Sequence, residues 1–509
     1  LLWVCAPRVV SVFHSYISVY EFCASFHLYP IFCVLLPRLF LDSNNITGSL
    51  PHEIGLLSDL IAIALPNNRL GGTLPSSLGR LETLSFLSLA NNVLSGSIPS
   101  SLGGLTKLTG LYLWANSLTG FIPYSFGNLA SLEILALSNN ALSGPMPSSL
   151  GNAIRLKWLG LERNFLSGSI PAALGDLTAL NRMRLYVNDL SGPIPSSLGD
   201  LGRLDELVLS SNRLSSTVPP SLGGLQNLTQ LSLFGNELTG SLPTTIGRMS
   251  RLSILHLFDN FLTGELPTTL NELTDLTNID ATDNALSGTL PFYRNSLPSL
   301  GVLFLSNNLL TGSIPDAVYT YERLTHIHLT SNNITGTLSS EIGGLRRLEE
   351  LYVIDNGIGG AVPVSLYSLD KLYLLGLRKN DFAGILRSEI GQMVGMDFIN
   401  LGKNPRLSGT LPDALGNLTL MTQFWVDGCA FTGTVPRSLS SLTSLKTVSF
   451  ENNSFAGDAG FLCLSTDSTV TFVSLDCYGP VPEVTCECCN ACCSDETFGE
   501  GEVWGCFPN

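Results

Sequence analysis

Residues 81–99 read LETLSFLSLANNVLSGSIP, and this stretch decides the fold because the chain repeats it. Its leucines lead to Asn92, which is followed by the element LxGxIP ending at Pro99. The same frame returns every 24 residues, and an asparagine occupies the position of Asn92 at every step from Asn44 to Asn404. We call these residues the ladder asparagines. A fixed period of this length indicates a solenoid of stacked repeats.

Each repeat is predicted to contain one short strand, as at residues 87–89. Leu87 and Leu89 should point inward, whereas Phe86, Ser88 and Ala90 should point outward, because side chains alternate along a strand. Stacked ladder asparagines can pair with backbone groups that a buried turn leaves unpaired. The rest of the repeat should return as a short 3-10 or helical turn. One repeat cannot bury enough surface to fold alone, so neighbours must complete the core.

The frame LxxLxxLxLxxNxLxGxIP of residues 81–99 resembles the plant-type leucine-rich repeat. The resemblance implies an α/β solenoid, a right-handed superhelix with a concave parallel β-sheet and short 3-10, helical or irregular convex segments. It covers residues 38–460, about 18 repeats. Proteins of this kind present the concave sheet to a partner, so the resemblance implies binding and not catalysis.

Three departures interrupt the frame. Cys429 stands at a ladder position and is predicted to be a buried unpaired thiol, with a reactive or paired cysteine as the alternative. Ser339 and Arg387 replace the proline, so looser turns are expected there because proline fixes φ. One extra residue follows Asn404 and shifts the next repeat.

The two ends of the chain differ from the repeats. Residues 1–37 are apolar and fit a signal or anchor remnant, an irregular cap or a gene-model artefact. Residues 461–509 are predicted to be an acidic, cysteine-rich C-terminal cap, similar to the tails of algal leucine-rich repeat proteins. An even number of cysteines in a small segment favours disulfides over zinc, with the pairing left open. These cysteines are Cys463, Cys477, Cys486, Cys488, Cys489, Cys492, Cys493 and Cys506.

The charge balance restricts the partners. The chain has 26 basic and 41 acidic residues, a net charge of −15, and this argues against binding nucleic acid or acidic lipid. The six histidines are scattered and no catalytic set is found, so no enzyme activity, cofactor or metal site is expected. An anchor in residues 1–37 would allow membrane association; the oligomeric state is left open.

Outward positions lie six, four, two and one residue before each ladder asparagine. Most hold small residues, but two clusters hold aromatic and charged side chains. They are either binding hot spots or aromatic rows that pack laterally. The first cluster is Tyr112, Trp114, Trp158, Glu162, Arg163, Arg182, Arg184 and Tyr186, and its arginines predict a preference for negative charge. The second is Phe234, His256, Phe258, Asp259, Asp280, Asp283, Phe304, His326, His328 and Tyr352, and its aspartates predict a preference for a cationic ligand.

The sequence therefore predicts an extracellular or cell-surface recognition protein, secreted or membrane-anchored and receptor-like without a kinase. Its ligand would be a protein, a peptide or a cell-wall glycan. The alternatives are a structural or adhesive surface protein without a defined ligand and an inhibitor of secreted hydrolases. Five glycosylation sequons agree with a secretory route, although an asparagine-rich repeat also creates sequons by chance. They begin at Asn45, Asn227, Asn333, Asn417 and Asn452.

Overall fold

The computed structural model describes residues 37–462, 471–475, 484–485, 491–493 and 506–508. They belong to two units, the first ending at Leu238 and the second beginning at Thr239. The expectations for residues 1–36 and for Cys463, Cys477, Cys486, Cys488 and Cys489 lie outside the described residues. For Cys492, Cys493 and Cys506 the structure describes the main chain.

The first unit is built from a parallel sheet, a row of shorter flanking strands and 3-10 segments. The sheet strands are Arg38–Phe40, Ala62–Ala64, Phe86–Ser88, Gly110–Tyr112, Ile134–Ala136, Trp158–Gly160, Arg182–Arg184, Glu206–Val208 and Gln230–Ser232. The flanking strands are Thr47–Ser49, Arg69–Gly71, Ser95–Ser97, Ser117–Gly120, Ala141–Pro145, Phe165–Gly168, Asp189–Pro193 and Arg213–Thr217, and Glu237–Gly240 contains the boundary. The 3-10 segments are His52–Leu56, Ser76–Arg80, Ser100–Gly104, Tyr124–Asn128, Ser148–Asn152, Ala172–Asp176, Ser196–Asp200 and Pro220–Gly224.

The second unit repeats the same plan. Its sheet strands are Ile254–His256, Asn278–Asp280, Val302–Phe304, His326–His328, Glu350–Tyr352, Leu374–Gly376, Phe398–Asn400, Gln423–Trp425, Thr447–Ser449, Phe472–Leu475 and Ala491–Cys493, followed by Cys506–Pro508, which pairs antiparallel. The flanking strands are Phe261–Glu265, Ala285–Gly288, Leu309–Gly312, Asn333–Ile334, Gly359–Gly360, Asp381–Ile385, Arg406–Gly409, Ala430–Gly433, Ser454–Phe455, Gly457–Asp458 and Val484–Thr485. The 3-10 segments are Thr244–Arg248, Thr268–Glu272, Val318–Thr320, Ser340–Gly344, Val364–Ser368, Ser388–Gln392, Asp413–Asn417, Arg437–Ser441 and Gly460–Leu462.

The strand register follows the sequence period, which confirms the predicted solenoid within each unit. Leu87 lies opposite Leu111 on the next strand, 24 residues later in the chain. Both side chains are fully buried, as the alternation predicts. The opposite side of the sheet carries the outward residues, and we call it the sheet face.

The ladder asparagines tie each repeat to the one before it, as Asn92 shows. Its Nδ2 donates to the carbonyl oxygens of Leu65, Leu89 and Ala90 at 3.0, 3.1 and 3.2 Å. Its Oδ1 accepts from the backbone N–H of Leu70 at 2.9 Å. One buried amide thus pairs with backbone groups of two successive repeats, as buried polar groups require.

Cys429 takes this place once and makes no disulfide among the described residues, so the prediction of an unpaired thiol is confirmed. The residue is half-buried and not fully buried as predicted. Its Sγ lies 3.4 Å from the carbonyl oxygen of Leu401, the kind of contact that the asparagine Nδ2 makes elsewhere. In the other repeats the corresponding N–H donates to the Oδ1 of the next ladder asparagine. After the extra residue that follows Asn404, the backbone N–H of Leu407 donates instead to the carbonyl of Asn404 at 3.0 Å, so it needs no amide oxygen at position 429. Burial raises the pKa of the Cys429 thiol to about 12.

The turns after Ser339 and Arg387 keep the backbone conformation of the proline-bearing turns, and their looser behaviour stays a prediction for hydrogen exchange. Ser339 has φ −70° and ψ 150°, and Arg387 has φ −83° and ψ 154°. Pro363, which has the usual proline, has φ −67° and ψ 136°. All three precede a five-residue 3-10 segment.

Buried tyrosines accompany the two missing prolines. Tyr319 and Tyr367 stand 20 residues before Ser339 and Arg387, a position that Gly343 occupies before Pro363. Burial raises both tyrosine pKa values, that of Tyr367 to about 12, and the backbone of Ser339 and Arg387 acts in the opposite direction. Neither hydroxyl has a hydrogen-bond partner among the described residues.

The residue before each ladder asparagine adopts a left-handed backbone conformation that the sequence analysis did not anticipate. Val187 is the least suited of these residues, with φ 55°. A left-handed L-residue costs about 1–2 kcal/mol, and branching at Cβ adds to the strain. We expect Val187→Asn to raise the free energy of unfolding by about 1 kcal/mol.

Gly235 provides the matched control for Val187, because it holds the same position in a later repeat with φ +63°. A Cβ there would meet its nearest atoms at 3.4 Å, so space is available. Gly235→Val should therefore destabilise the first unit through backbone conformation alone. Urea denaturation of both variants is the measurement, and two unchanged midpoints would contradict the prediction.

Candidate ligand-binding face

The first cluster lies on the sheet face of the first unit and contains both exposed and buried members. Trp114, Arg163 and Arg182 are exposed, whereas Tyr112, Trp158, Arg184 and Tyr186 are half-buried. Tyr112 packs against Phe86, with ring centroids 5.3 Å apart. Glu162 is the exception, because its side chain is buried.

Carboxylates that the sequence analysis missed neutralise two of the three arginines. Arg184 makes a two-pronged contact with Glu206, from Nε at 2.7 Å and Nη2 at 2.9 Å. Arg182 lies 3.7 Å from Asp205 and 3.9 Å from Glu206. Arg163 stacks over the ring of Tyr186 at 5.9 Å. The expected preference of this cluster for negative charge is therefore not supported.

Phe234 was grouped with the second cluster, but it belongs to the first unit, where it is half-buried. The other members of that cluster lie in the second unit. His256 and Phe258 pack in a tilted arrangement at 6.3 Å. Asp259 and Asp283 are exposed, and Asp280 lies opposite Phe304 in the sheet.

A row of aromatic side chains crosses the sheet face of the second unit. Phe304 stacks on His328 with centroids 4.2 Å apart and an interplanar angle of 17°. His328 meets Tyr352 edge-on at 4.9 Å. The row continues to Phe398 at 6.2 Å and from there to Trp425 at 6.1 Å, two residues that the sequence analysis missed. The rings pack laterally, and all five side chains are also half-exposed, so the row offers a partly open apolar surface.

Glu350, also missed, organises the polar side of this row. His328 Nε2 lies 2.8 Å from Glu350 Oε2, and His326 Nε2 lies 3.5 Å from Oε1. The hydroxyl of Tyr373 donates to Oε1 as well, which raises the tyrosine pKa to about 12. One carboxylate therefore fixes both histidines of the strand His326–His328.

Two histidines of this face have pKa values that burial lowers. Burial lowers the pKa of His328 below its ordinary value, although Glu350 acts in the opposite direction. Burial lowers the pKa of His256 as well, against the effect of Asp280. The unfolded chain therefore binds protons that the folded chain does not, in a window that begins near the ordinary histidine pKa of about 6.5.

We expect the contribution of these histidines to stability to be complete above pH about 6.5 and to decrease as the pH falls toward their folded pKa values. Urea denaturation at a series of pH values between about 7.5 and 5 checks this. The variant His328→Gln, which can still donate to Glu350, should show a weaker pH dependence. An identical slope in the variant would contradict the assignment.

Within residues 37–462 and the described tail segments, no three histidine, cysteine or acidic side chains are grouped to hold a metal ion. Of the described helical segments, none combines the length and apolar character needed to span a bilayer.

The family model described as leucine rich repeat matches residues 87–142 and 106–166, and a second model with that description matches 203–225, 227–249 and 323–345. The leucine-rich repeat ectodomain of the Arabidopsis receptor kinase HAESA, in complex with an IDA peptide hormone that is lengthened at its N-terminus, is 31% identical with a TM-score of 0.71. The match covers 90% of this chain and 87% of that one. The chain belongs to the leucine-rich repeat family.

Two other plant receptor structures are also similar to this chain. The ectodomain of the Arabidopsis thaliana receptor kinase GASSHO1/SCHENGEN3, in complex with CASPARIAN STRIP INTEGRITY FACTOR 2, is 33% identical with a TM-score of 0.78. That match covers 87% of this chain but only 53% of the GASSHO1 chain, about half its length. The plant peptide hormone receptor RGFR1 with RGF2 is 28% identical over 87% of this chain and 83% of that one, with a TM-score of 0.76. Curated protein sequences gave no significant match.

Proposed function

We propose that this leucine-rich repeat chain is a recognition protein that binds an extended peptide, or a flexible segment of a protein, along its sheet face. The observation that carries the proposal is the half-exposed row of Phe304, His328 and Tyr352 on adjacent strands. Aromatic groups at the centre of a surface are typical binding hot spots. The structures of HAESA with an IDA peptide hormone and of the peptide hormone receptor RGFR1 with RGF2 support peptide binding by this chain.

The dimensions of the second unit suit an extended ligand. The residues in register with Phe304 on successive strands run from Asp280 through His328 and Tyr352 to Trp425. This is six strand spacings, or about 29 Å. An extended peptide of about nine residues spans this distance. Gly376 and Asn400 interrupt the aromatic row, and the missing side chain at Gly376 is filled by the ring of Tyr352.

Charge supports a ligand with a cationic segment. Asp259 and Asp283 are exposed near one end of the row, and the whole chain carries −15. Asp283 accepts a hydrogen bond from Asn307 at 2.7 Å, an uncharged donor that leaves its negative charge in place. A positive ligand residue would gain association rate and orientation from this field.

A phage-displayed library of random peptides of about twelve residues, a length that covers the row, tests the proposal. We expect enrichment of peptides that combine basic and apolar residues. Phe304→Ala should weaken a selected peptide by about 2 kcal/mol, roughly thirtyfold. Phe261→Ala is the matched control, because Phe261 is exposed in the same unit but lies on a flanking strand.

Three results would count against the proposal. One is the absence of enrichment, which a purely structural rod predicts. Another is unchanged affinity of Phe304→Ala together with a lowered melting temperature, because the aromatic residues would then serve lateral packing alone. The third is an equal loss of affinity in Phe261→Ala.

An extracellular or cell-surface location is part of the proposal. The sequon asparagines Asn45, Asn227, Asn333 and Asn417 are exposed, whereas Asn452 is half-buried. Glycan attachment therefore has accessible sites in the folded protein. Expression through a secretory pathway, followed by enzymatic removal of N-glycans, should lower the mass of the protein; an unchanged mass would oppose this part of the proposal.

We propose that residues 461–509 form a disulfide-bonded cap on a repeat array that spans residues 38–460. The even number of cysteines in the tail supports this. Non-reducing peptide mapping by mass spectrometry should find disulfide-linked peptides from the tail. Eight free thiols with bound zinc would oppose it.

A further inference from the structure

An open hollow of about 410 Å³ lies in the second unit, where the sheet face meets the flanking strands. Phe261, Ala285 and Leu309 hold the same position in three successive repeats, directly after a ladder asparagine. Phe261 is 60% and Leu309 53% exposed, whereas Ala285 carries only a methyl group. The backbones that carry the two large side chains are two strand spacings apart, about 10 Å. The small residue leaves a gap, and Phe261 and Ala285 line it.

The rim of the hollow presents hydrogen-bond acceptors and a negative charge. Asp283 is exposed, and one of its carboxylate oxygens accepts from the side-chain amide of Asn307 at 2.7 Å. This donor is neutral, and Asp283 forms no ion pair with another described residue, so its charge is not cancelled. Thr263, which lies opposite Ala285 in the flanking strands, adds a hydroxyl.

The fold itself uses the polar atoms of the ladder asparagine beside the hollow. Nδ2 of Asn284 donates to the carbonyl oxygens of Leu257, Ala281 and Thr282 at 3.1, 3.2 and 3.1 Å. Its Oδ1 accepts from the backbone N–H of Leu262 at 2.9 Å. A ligand is therefore offered an apolar wall and a negatively charged rim. Such a surface suits a cation that has an apolar stem and several N–H donors.

We propose that the hollow over Ala285 is a subsite for a guanidinium group, the side chain of an arginine residue in the ligand. The planar cation would stack on the exposed ring of Phe261 while its methylene stem lies over Ala285. Its N–H groups would donate to the carboxylate of Asp283 and to the amide oxygen of Asn307. The ammonium of lysine is a compact, strongly hydrated charge that stacks less well. The inference rests on the proposed function and adds the identity and the place of the cationic ligand residue.

Single blocked residues test the subsite: the Nα-acetyl amides of arginine, citrulline and lysine. Citrulline has the shape of arginine without the charge. The readout is the ¹⁹F signal of Phe261 in protein labelled with 4-fluorophenylalanine, one of 24 phenylalanines, assigned by its loss in Phe261→Leu. The arginine probe should shift this signal saturably and bind about tenfold more tightly than the citrulline probe. No saturable shift, or an equal affinity for the citrulline or the lysine probe, would overturn the proposal.

Two variants and a control separate binding from structure. Ala285→Leu fills the hollow with the side chain that Leu309 already has at this position, so the fold should tolerate it and the saturable shift should be lost. Asp283→Asn removes the charge alone, because asparagine tolerates the left-handed backbone there, and affinity should fall about fivefold. Asp275→Asn alters another exposed carboxylate of the same unit and should change nothing. A full response in either of the first two variants, or an equal loss in Asp275→Asn, would overturn the subsite.

The result can be told apart from a failure of the proposed function. The hollow lies beside the aromatic row, and the probes need no contact with Phe304. Library enrichment without a probe response would remove the subsite and leave the function, whereas a probe response without enrichment would leave an arginine site and remove peptide recognition. A selected peptide that uses both should lose about threefold in affinity in Phe261→Ala, the effect of one exposed cation–π contact and well below the loss expected for Phe304→Ala.

Discussion

Replacing Asn212 with alanine is expected to lower the free energy of unfolding by about 3 kcal/mol or more. Its Nδ2 donates to the carbonyl oxygens of Leu185, Leu209 and Ser210 at 3.0, 3.1 and 3.1 Å. Its Oδ1 accepts from the backbone N–H of Leu190 at 3.0 Å. Alanine leaves the buried N–H of Leu190 unpaired, removes a donor from three carbonyl oxygens and opens a cavity. Each of these effects alone costs about 1 kcal/mol or more.

Cys429→Ala is the control for Asn212→Ala. The thiol supplies only weak hydrogen bonds, and the backbone N–H of Leu407 already has the carbonyl of Asn404 as its partner. Removing Cys429 should therefore cost clearly less than removing Asn212. Urea denaturation compares the two, and hydrogen exchange should locate the damage at the amide of Leu190. Equal losses in both variants would show that the ladder acts through volume and not through hydrogen bonds.

Arg378→Met should destabilise the second unit by about 3–5 kcal/mol, the range found when one partner of a buried ion pair is removed. The guanidinium of Arg378 pairs with Asp427, whose side chain is only 3% exposed. The two residues stand two repeats apart, and Gly402 between them leaves the space in which they meet. Methionine keeps much of the volume but leaves the buried carboxylate without its counter-charge.

The neighbouring residue Lys379 gives a matched control for Arg378. Lys379 pairs with Asp355 at 2.8 Å, but both side chains are exposed, so Lys379→Met should cost less than about 1 kcal/mol. The double variant Arg378→Met/Asp427→Leu should recover most of the stability lost in Arg378→Met, because no buried charge remains. Urea denaturation curves for the three variants measure these losses of stability. A double variant as unstable as the single one would mean that shape, and not charge, is the cause.

Sequence predicted the repeat but not how small outward residues are covered. Leu87 and Leu89 are buried and Phe86 is half-buried, as the alternation requires. Ser88 and Ala90 were expected to point outward, yet they are only 7% and 1% exposed. Larger side chains of the next repeat shield them, because the register places Tyr112 beside Ser88. Exposure of a small residue thus depends on its lateral neighbour and not on its own strand.

The sequence positions located the residues of the candidate face, but they did not reveal which side chains form ion pairs there. Glu206 and Glu350 hold outward positions six residues before a ladder asparagine, yet they were passed over because they are neither aromatic nor clustered in the sequence. Their effect depends on side-chain rotamers, which bring Glu206 to Arg184 and Glu350 to His328. The left-handed residues did leave a signal, since Asn67 and Asn91 are of the type that tolerates positive φ.

The hydrogen bonds of the ladder asparagines run backwards along the chain, and this has a consequence during protein synthesis. Leu70 receives its acceptor from Asn92, 22 residues later, and Leu94 receives its acceptor from Asn116 after the same interval. A repeat that has just left the ribosome therefore exposes an unpaired turn until the following repeat emerges. Nascent chains arrested within the array should always carry one unfinished repeat at their growing end, and this unfinished turn is the place where a chaperone could bind.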